Sequence, residues 1–165
     1  GTKEFINRNG QYTVNIALIH NHHSIFGIVY APVKEELYLG NVESQLAFKE
    51  AKSGRITLKV NNKDTNRVAV RSKSHASNEE ETILSRFGVV DSISVGSSLK
   101  FCMVAEGRAD LYYRFGPTME WDTAAGQAVV ESAGGKVYHE IGPNLFKYNR
   151  ENMLNGSFLC LGFSL

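Results

Sequence analysis

From Asp122 to Ala133 the chain runs without a proline, and small apolar residues recur at Ala125, Ala128, Val129 and Ala133. That spacing lays one apolar stripe along a helix. Gly134-Gly135 follows, a pair that can take positive φ and stop a helix. Asp122 falls at or near the N-terminus, where unpaired N–H groups and the macrodipole favour negative charge. On the local pattern alone, Asp122 is an N-cap.

The residues before this helix divide into two regimes. Tyr12 to His20 and Ser24 to Ala31 alternate as strands, with Asn21-His22-His23 as the hairpin connection. His20, His22 and His23 sit at a polar turn with no carboxylate beside them, so they read as solvated loop residues and not as metal ligands. Pro32 ends the second strand. A short strand is expected at Leu37 to Gly40, and a hairpin over 45–50 and 55–60 around Ser53-Gly54. About residues 1–66 therefore make a β-meander.

From about residue 67 to 165, strand and helix alternate. Strands are predicted at Arg67 to Arg71, Val89 to Val95, Leu111 to Arg114, Val137 to Tyr138 and Phe158 to Gly162. Helices are predicted from Asn78, as cap with Glu81 in a capping box, to Arg86, and from about Leu99 to Glu106, with Ser97 as a suitable cap. Gly88 and Gly107 close them. The fold class is a layered α/β (α+β) sandwich in which a smaller α/β unit is built onto the meander.

At 165 residues the chain is one domain's worth. Lys plus Arg less Asp plus Glu is 18 − 17 = +1, so no global field points to a nucleic-acid polymer or a membrane. Any attraction for an anion must be local. Cys102 and Cys160 lie far apart among apolar residues and read as small core hydrophobes of a reducing compartment. No apolar run approaches a membrane span.

Four basic or hydroxyl residues stand at element ends. Lys100 falls in the first turn of its helix, where a cation opposes the dipole by roughly 0.3–1 kcal/mol. Either a bound anion reverses that balance, or the side chain reaches back to solvent. Ser97 precedes the same helix. His75 leaves a strand just before a helix, the edge where α/β sheets place ligands, and Arg114 ends a strand before the Gly116-Pro117 turn. Together His75, Lys100 and Arg114 could grip a phosphate, Arg in bidentate fashion. Singly, each reads as a surface group.

The segments Gly1-Thr2-Lys3-Glu4-Phe5, Arg71-Ser72-Lys73-Ser74-His75, Gly96-Ser97-Ser98-Leu99-Lys100-Phe101-Cys102, Ala105-Glu106-Gly107-Arg108-Ala109-Asp110-Leu111-Tyr112, Arg114-Phe115-Gly116-Pro117-Thr118 and Trp121-Asp122-Thr123-Ala124-Ala125-Gly126 resemble the bisphosphate nucleotidase branch of the inositol monophosphatase superfamily. The resemblance covers essentially the whole chain. It implies the C-terminal part of the superfamily's α/β/α/β/α fold and a Mg²⁺-dependent, Li⁺-inhibited phosphatase. Such an enzyme removes the 3′-phosphate of 3′-phosphoadenosine 5′-phosphate to give AMP.

By the same resemblance, Asp122 is a metal ligand and Thr2 orients the attacking water. The Gly1 and Thr2 backbone holds the scissile phosphate, and His75, Ser97, Lys100 and Arg114 contact the nucleotide and its second phosphate. In the family a Gly-Glu-Glu segment and an Asp-Pro-x-Asp that runs into Gly-Thr supply the other metal carboxylates; both would lie upstream of Gly1. The expectation is that this chain is inactive alone, that its partners are a small-molecule nucleotide 3′,5′-bisphosphate and the N-terminal half of the same protein, and that it self-associates, so that a homo-oligomer is compatible with it. The implied setting is cytoplasmic, free or peripheral at the inner membrane. Other readings are an inositol or sugar phosphate phosphatase of the same superfamily and a non-catalytic nucleotide-binding module. A cation at Arg114, where the inositol branch is expected to carry a carboxylate, favours the nucleotide.

Overall fold

The computed structural model describes residues 5–72 and 77–165. Five strands, β1 (Val14–His20), β2 (His23–Ala31), β3 (Glu36–Asn41), β4 (Leu46–Ala51) and β5 (Gly54–Thr57), pair in sequence order as an antiparallel meander with β1 at one edge. The β1–β2 connection places Asn21 and His22 at φ of 47° and 64°, the two-residue turn whose twist matches the flanking strands. The meander stops at Thr57, short of the expected residue 60. Beyond it the Val60 amide donates instead to Ala133 O at 3.1 Å, so the chain leaves the sheet for the end of the long helix.

A second sheet has the order β10 (Lys136–His139), β12 (Phe158–Leu161), β8 (Leu111–Arg114), β6 (Arg67–Arg71) and β7 (Val89–Ser94). Its β7, β6 and β8 run parallel, while β12 and β10 are antiparallel additions. A short ribbon pairs β9 (Thr118–Met119) with β11 (Leu154–Asn155). The helices α1 (Asn78–Arg86), α2 (Leu99–Ala105) and α3 (Glu120–Ser132) pack with these sheets.

The period-2 alternation of the second sheet divides two cores. Val70, Tyr112, Phe158 and Cys160 face α2 and α3, whereas Ala69, Leu111, Leu159 and Leu161 face Ile83 and Leu84 of α1. Helices α2 and α3 thus fill the space between the sheets, and α1 covers the far side, giving a mixed α/β layered sandwich.

The small residues of α3 have a steric reason. A Cβ on Gly40 would lie 2.6 Å from Ala128 O and Val129 Cα, and one on Gly27 would run into Ala125 O. The helix backbone therefore rests directly on β2 and β3. On its other side, a Cβ on Gly126 would fall 2.5 Å from the Phe101 ring. Only glycine at these contacts lets the layers close to this distance.

The opposite face of the meander is also apolar. Val14, Ile16 and Leu18 are in register with Tyr30, Ile28 and Phe26, and these in turn with Leu37, Leu39 and Asn41. Ile16 and Leu18 are 58% and 56% exposed. A strand that is apolar on both faces belongs inside a layered fold.

The starts of these three helices differ from expectation. The cap of α1 is Ser77 and not Asn78: its extended backbone lets Oγ accept the Glu80 amide at 3.1 Å. Glu81 is turned instead to Arg71, 2.6 Å from Nη2. At α2 the N-cap is Ser98 and not Ser97, and its hydroxyl caps nothing because it is committed elsewhere. Asp122 sits at the third position of α3, whose cap is Met119.

Candidate active site

The parallel strands β7, β6 and β8 end at the same sheet edge. There they deliver the Val95–Ser98 loop, Ser72 and Arg114, the carboxyl-end location at which open α/β sheets gather ligand groups. Gly1, Thr2 and His75 lie outside the described residues. The chain then passes from Arg114 through β9 into α3 and brings Asp122 to the same end of the molecule.

Tyr112 marks where these groups meet. Lys100 Nζ lies 5.2 Å from its ring centroid. Burial drives the Tyr112 hydroxyl well above its ordinary range; the Arg114 charge works against that shift and the Asp122 charge adds to it. Lys100, Arg114 and Asp122, from three different elements, thus act on one buried phenol. Sequence reasoning did not single out Tyr112. The available signal was its two-residue offset from Arg114, which puts both on one face of β8.

Lys100 does not reach back to solvent. It is 5% exposed, and Nζ donates to Ser97 O at 2.9 Å and Val95 O at 3.3 Å. The cation holds the loop carbonyls that precede its own helix. Around the same loop runs a chain of hydroxyls. Ser98 Oγ donates to Asn15 Oδ1 at 2.6 Å, so its contact with Thr13 Oγ1 at 2.7 Å takes the Thr13 proton. The Ser97 hydroxyl must then donate to Thr13 Oγ1, also at 2.7 Å. Gln11 Oε1 accepts the Gly96 amide at 2.8 Å. These bonds hold Ser97 at φ 55°, a left-handed conformation a non-glycine residue adopts at a cost. The sequence did not reveal that Thr13, Asn15 and Gln11 organise this loop, because they bond to it from more than 80 residues away.

Arg114 donates through Nε to Gly116 O at 3.2 Å and through Nη1 to Ser72 Oγ at 3.1 Å. The second bond ties the end of β8 to the start of the segment that carries His75. Asp122 is exposed, and its Oδ2 accepts the Met119 amide at 2.9 Å. A cleft of about 240 Å³ opens beside it, lined by Trp121, Ala124, Met153 and the β1 residues Asn15, Ala17 and Ile19. Among the described residues no group of three or more His, Cys, Asp or Glu side chains could hold a metal ion. The described residues supply one carboxylate and do not by themselves fit a metal pair. His22 is exposed, but it is not merely solvated: Nδ1 donates to Tyr148 O at 2.7 Å.

Residues 1–157 match the profile of the inositol monophosphatase family. The chain is 48% identical over 158 residues to the 3′(2′),5′-bisphosphate nucleotidase CysQ of Escherichia coli K12, covering 96% of this chain and 63% of that protein. It is 42% identical over 164 residues to the CysQ of Buchnera aphidicola subsp. Acyrthosiphon pisum, covering 99% and 60%. The crystal structure of CysQ from Bacteroides thetaiotaomicron superposes with a TM-score of 0.87 at 40% identity, over 98% of this chain and 66% of that one. The chain spans less than two thirds of the length of each of these relatives. With the profile matched over nearly its whole length and the layered fold reproduced, this chain belongs to the inositol monophosphatase family.

Proposed function

We propose that the protein of which this chain is a part is a metal-dependent 3′(2′),5′-bisphosphate nucleotidase. It acts on the 3′-phosphate of 3′-phosphoadenosine 5′-phosphate, giving AMP and phosphate. The observation that carries this reading is the 48% identity to a curated nucleotidase across 96% of the chain. Arg114 at the open edge of the second sheet adds to it, as a guanidinium suited to a second phosphate.

In this reading water attacks phosphorus, the P–O bond to the 3′ oxygen breaks, and that oxygen leaves with a proton as the 3′-hydroxyl. Gly1 and Thr2 hold the scissile phosphate and Thr2 orients the water. His75, Ser97, Lys100 and Arg114 contact the nucleotide and its second phosphate. Asp122 is one ligand for Mg²⁺, and the remaining carboxylates come from outside the described residues. The metal would neutralise phosphate charge when bound. The chain alone is proposed to be inactive, Li⁺ to inhibit the whole enzyme, and the cytoplasm to be its setting. Among the described residues no helix is long and apolar enough to cross a membrane.

The test is phosphate release from a panel of 3′-phosphoadenosine 5′-phosphate, inositol phosphate and fructose phosphate by this chain and by a version extended upstream. Preference for the nucleotide by the extended protein supports the reading. Preference for a sugar phosphate replaces it with the sibling activity, and nucleotide binding without turnover replaces it with a binding module.

A further inference from the structure

The segment from Tyr148 to Asn155 encloses the first turn of α3 with more bonds than a passing loop needs. Glu120 is 7% exposed. Its carboxylate accepts the Asn149 amide at 2.7 Å, the Arg150 amide at 3.2 Å and Arg150 Nε at 2.9 Å. The Glu120 amide donates to Met153 O at 3.0 Å. Arg150 Nη2 reaches on to Asn155 Oδ1 at 2.6 Å and Leu154 O at 3.2 Å. Asn155 Nδ2 then donates to Thr118 Oγ1 and Thr123 Oγ1, both at 3.1 Å, while β11 pairs with β9 just before the helix.

The burial pattern of that turn is instructive. Glu120 and Thr123 are held inward at 7% and 1% exposure, while Trp121, at 59%, and Asp122 between them face out. Glu120 and Thr123 are both held by the 148–155 segment, whereas Asp122 bonds only within its own turn, to the Met119 amide. A buried carboxylate needs this many partners for its own sake. The Asn155 bonds to both Thr118 and Thr123, however, brace the corner on either side of Asp122 without touching Glu120.

We propose that Arg150 and Asn155 are positioning residues that set the place of Asp122 through Glu120, Thr118 and Thr123. This rests on the proposed role of Asp122. A shift of the helix start moves the Asp122 carboxylate relative to the Arg114 edge, and misplacement on the ångström scale is enough to slow a reaction. Arg150→Lys keeps a charge near Glu120 but cannot fork to Asn155 and Leu154.

Two readouts test this. Trp121 is the sole tryptophan, so its emission and acrylamide quenching in the 165-residue chain report on this corner directly. In the upstream-extended enzyme, kcat and KM are measured for Arg150→Ala, Arg150→Lys and Asn155→Ala, with Arg55→Ala on the distant meander as control. The expected result is altered Trp121 quenching in Arg150→Ala and Asn155→Ala, and kcat lower by about tenfold or more with KM changed by less than about threefold. Arg150→Lys falls in between, and Arg55→Ala matches the parent. Unchanged Trp121 quenching, or a lower melting temperature with wild-type kcat, overturns the proposal. If the extended parent shows no turnover, the proposed activity fails, and the Trp121 measurement alone decides the clamp.

Discussion

Asp122 Oδ2 accepts the Met119 amide at 2.9 Å, so the carboxylate that family resemblance assigns to a metal also closes the first turn of its own helix. The two roles are separable by chemistry. Asparagine keeps a side-chain oxygen that can accept the Met119 amide but is a poorer ligand for a hard cation. Asp122→Asn is therefore expected to leave the melting temperature nearly unchanged and to lower phosphate release by the extended enzyme on the order of 100-fold or more. Thermal melts and steady-state kinetics on the same preparation check both halves.

Gly40 carries a packing prediction. A methyl group there meets Ala128 O and Val129 Cα at 2.6 Å, and both are helix backbone that cannot yield locally. Gly40→Ala should cost about 1–3 kcal/mol by overpacking, read from denaturant unfolding. An alanine at Gly54, where nothing lies within 4 Å but φ is 113°, tests backbone strain without a clash.

The Lys49 ammonium ties the meander to the end of α2, 2.7 Å from Glu36 Oε1 and 3.1 Å from Glu106 Oε1. Burial opposes the charged form of Glu36, but the hydrogen bond and charge of Lys49 outweigh it and hold its carboxyl below the ordinary value of 4.5. A depressed carboxyl contributes stability that is present above 4.5 and is lost as pH falls through the lower folded value. Glu36→Gln should therefore flatten the loss of stability on acidification below pH 4.5. Denaturant unfolding at a series of acidic pH values measures it, and equal slopes for parent and variant would contradict the pairing.

The outer face of the meander predicts behaviour in solution. Ile16 and Leu18 lie on the edge strand and are more than half exposed, continuous with Ile28 and Phe26. The 165-residue chain is expected to pair with a second copy through this face. Ile16→Lys should shift its elution in size-exclusion chromatography toward the monomer, and a compact monomer for the parent would contradict the expectation.

Legibility in the sequence followed the range of the interactions. Arg67–Arg71 and Leu111–Arg114 were recoverable because alternation and flanking turn residues are local signals. The long helix was visible in its stripe, although the reason for its alanines, the glycines of β2 and β3, lies nearly a hundred residues away. The α1 cap lies one residue before Asn78 because the extended Ser77 backbone lets its hydroxyl take the Glu80 amide, while at α2 the Ser98 hydroxyl is taken by Asn15 from another element and caps nothing. The same limit hid the site's scaffolding. Asp122 and Arg114 are expectations that came from family resemblance, whereas the contacts of Thr13, Tyr112, Arg150 and Asn155 span the fold and no local pattern encodes them. Lys100 was legible as an anomaly, and only the fold shows that loop carbonyls answer it.

The central claim is best tested by phosphate release from 3′-phosphoadenosine 5′-phosphate with Mg²⁺, comparing the 165-residue chain with one extended upstream through the family's acidic segments. The account predicts turnover by the extended protein alone, abolished by Asp122→Asn and suppressed by Li⁺. Turnover by the 165-residue chain, or an extended protein that binds the nucleotide without releasing phosphate, would contradict it.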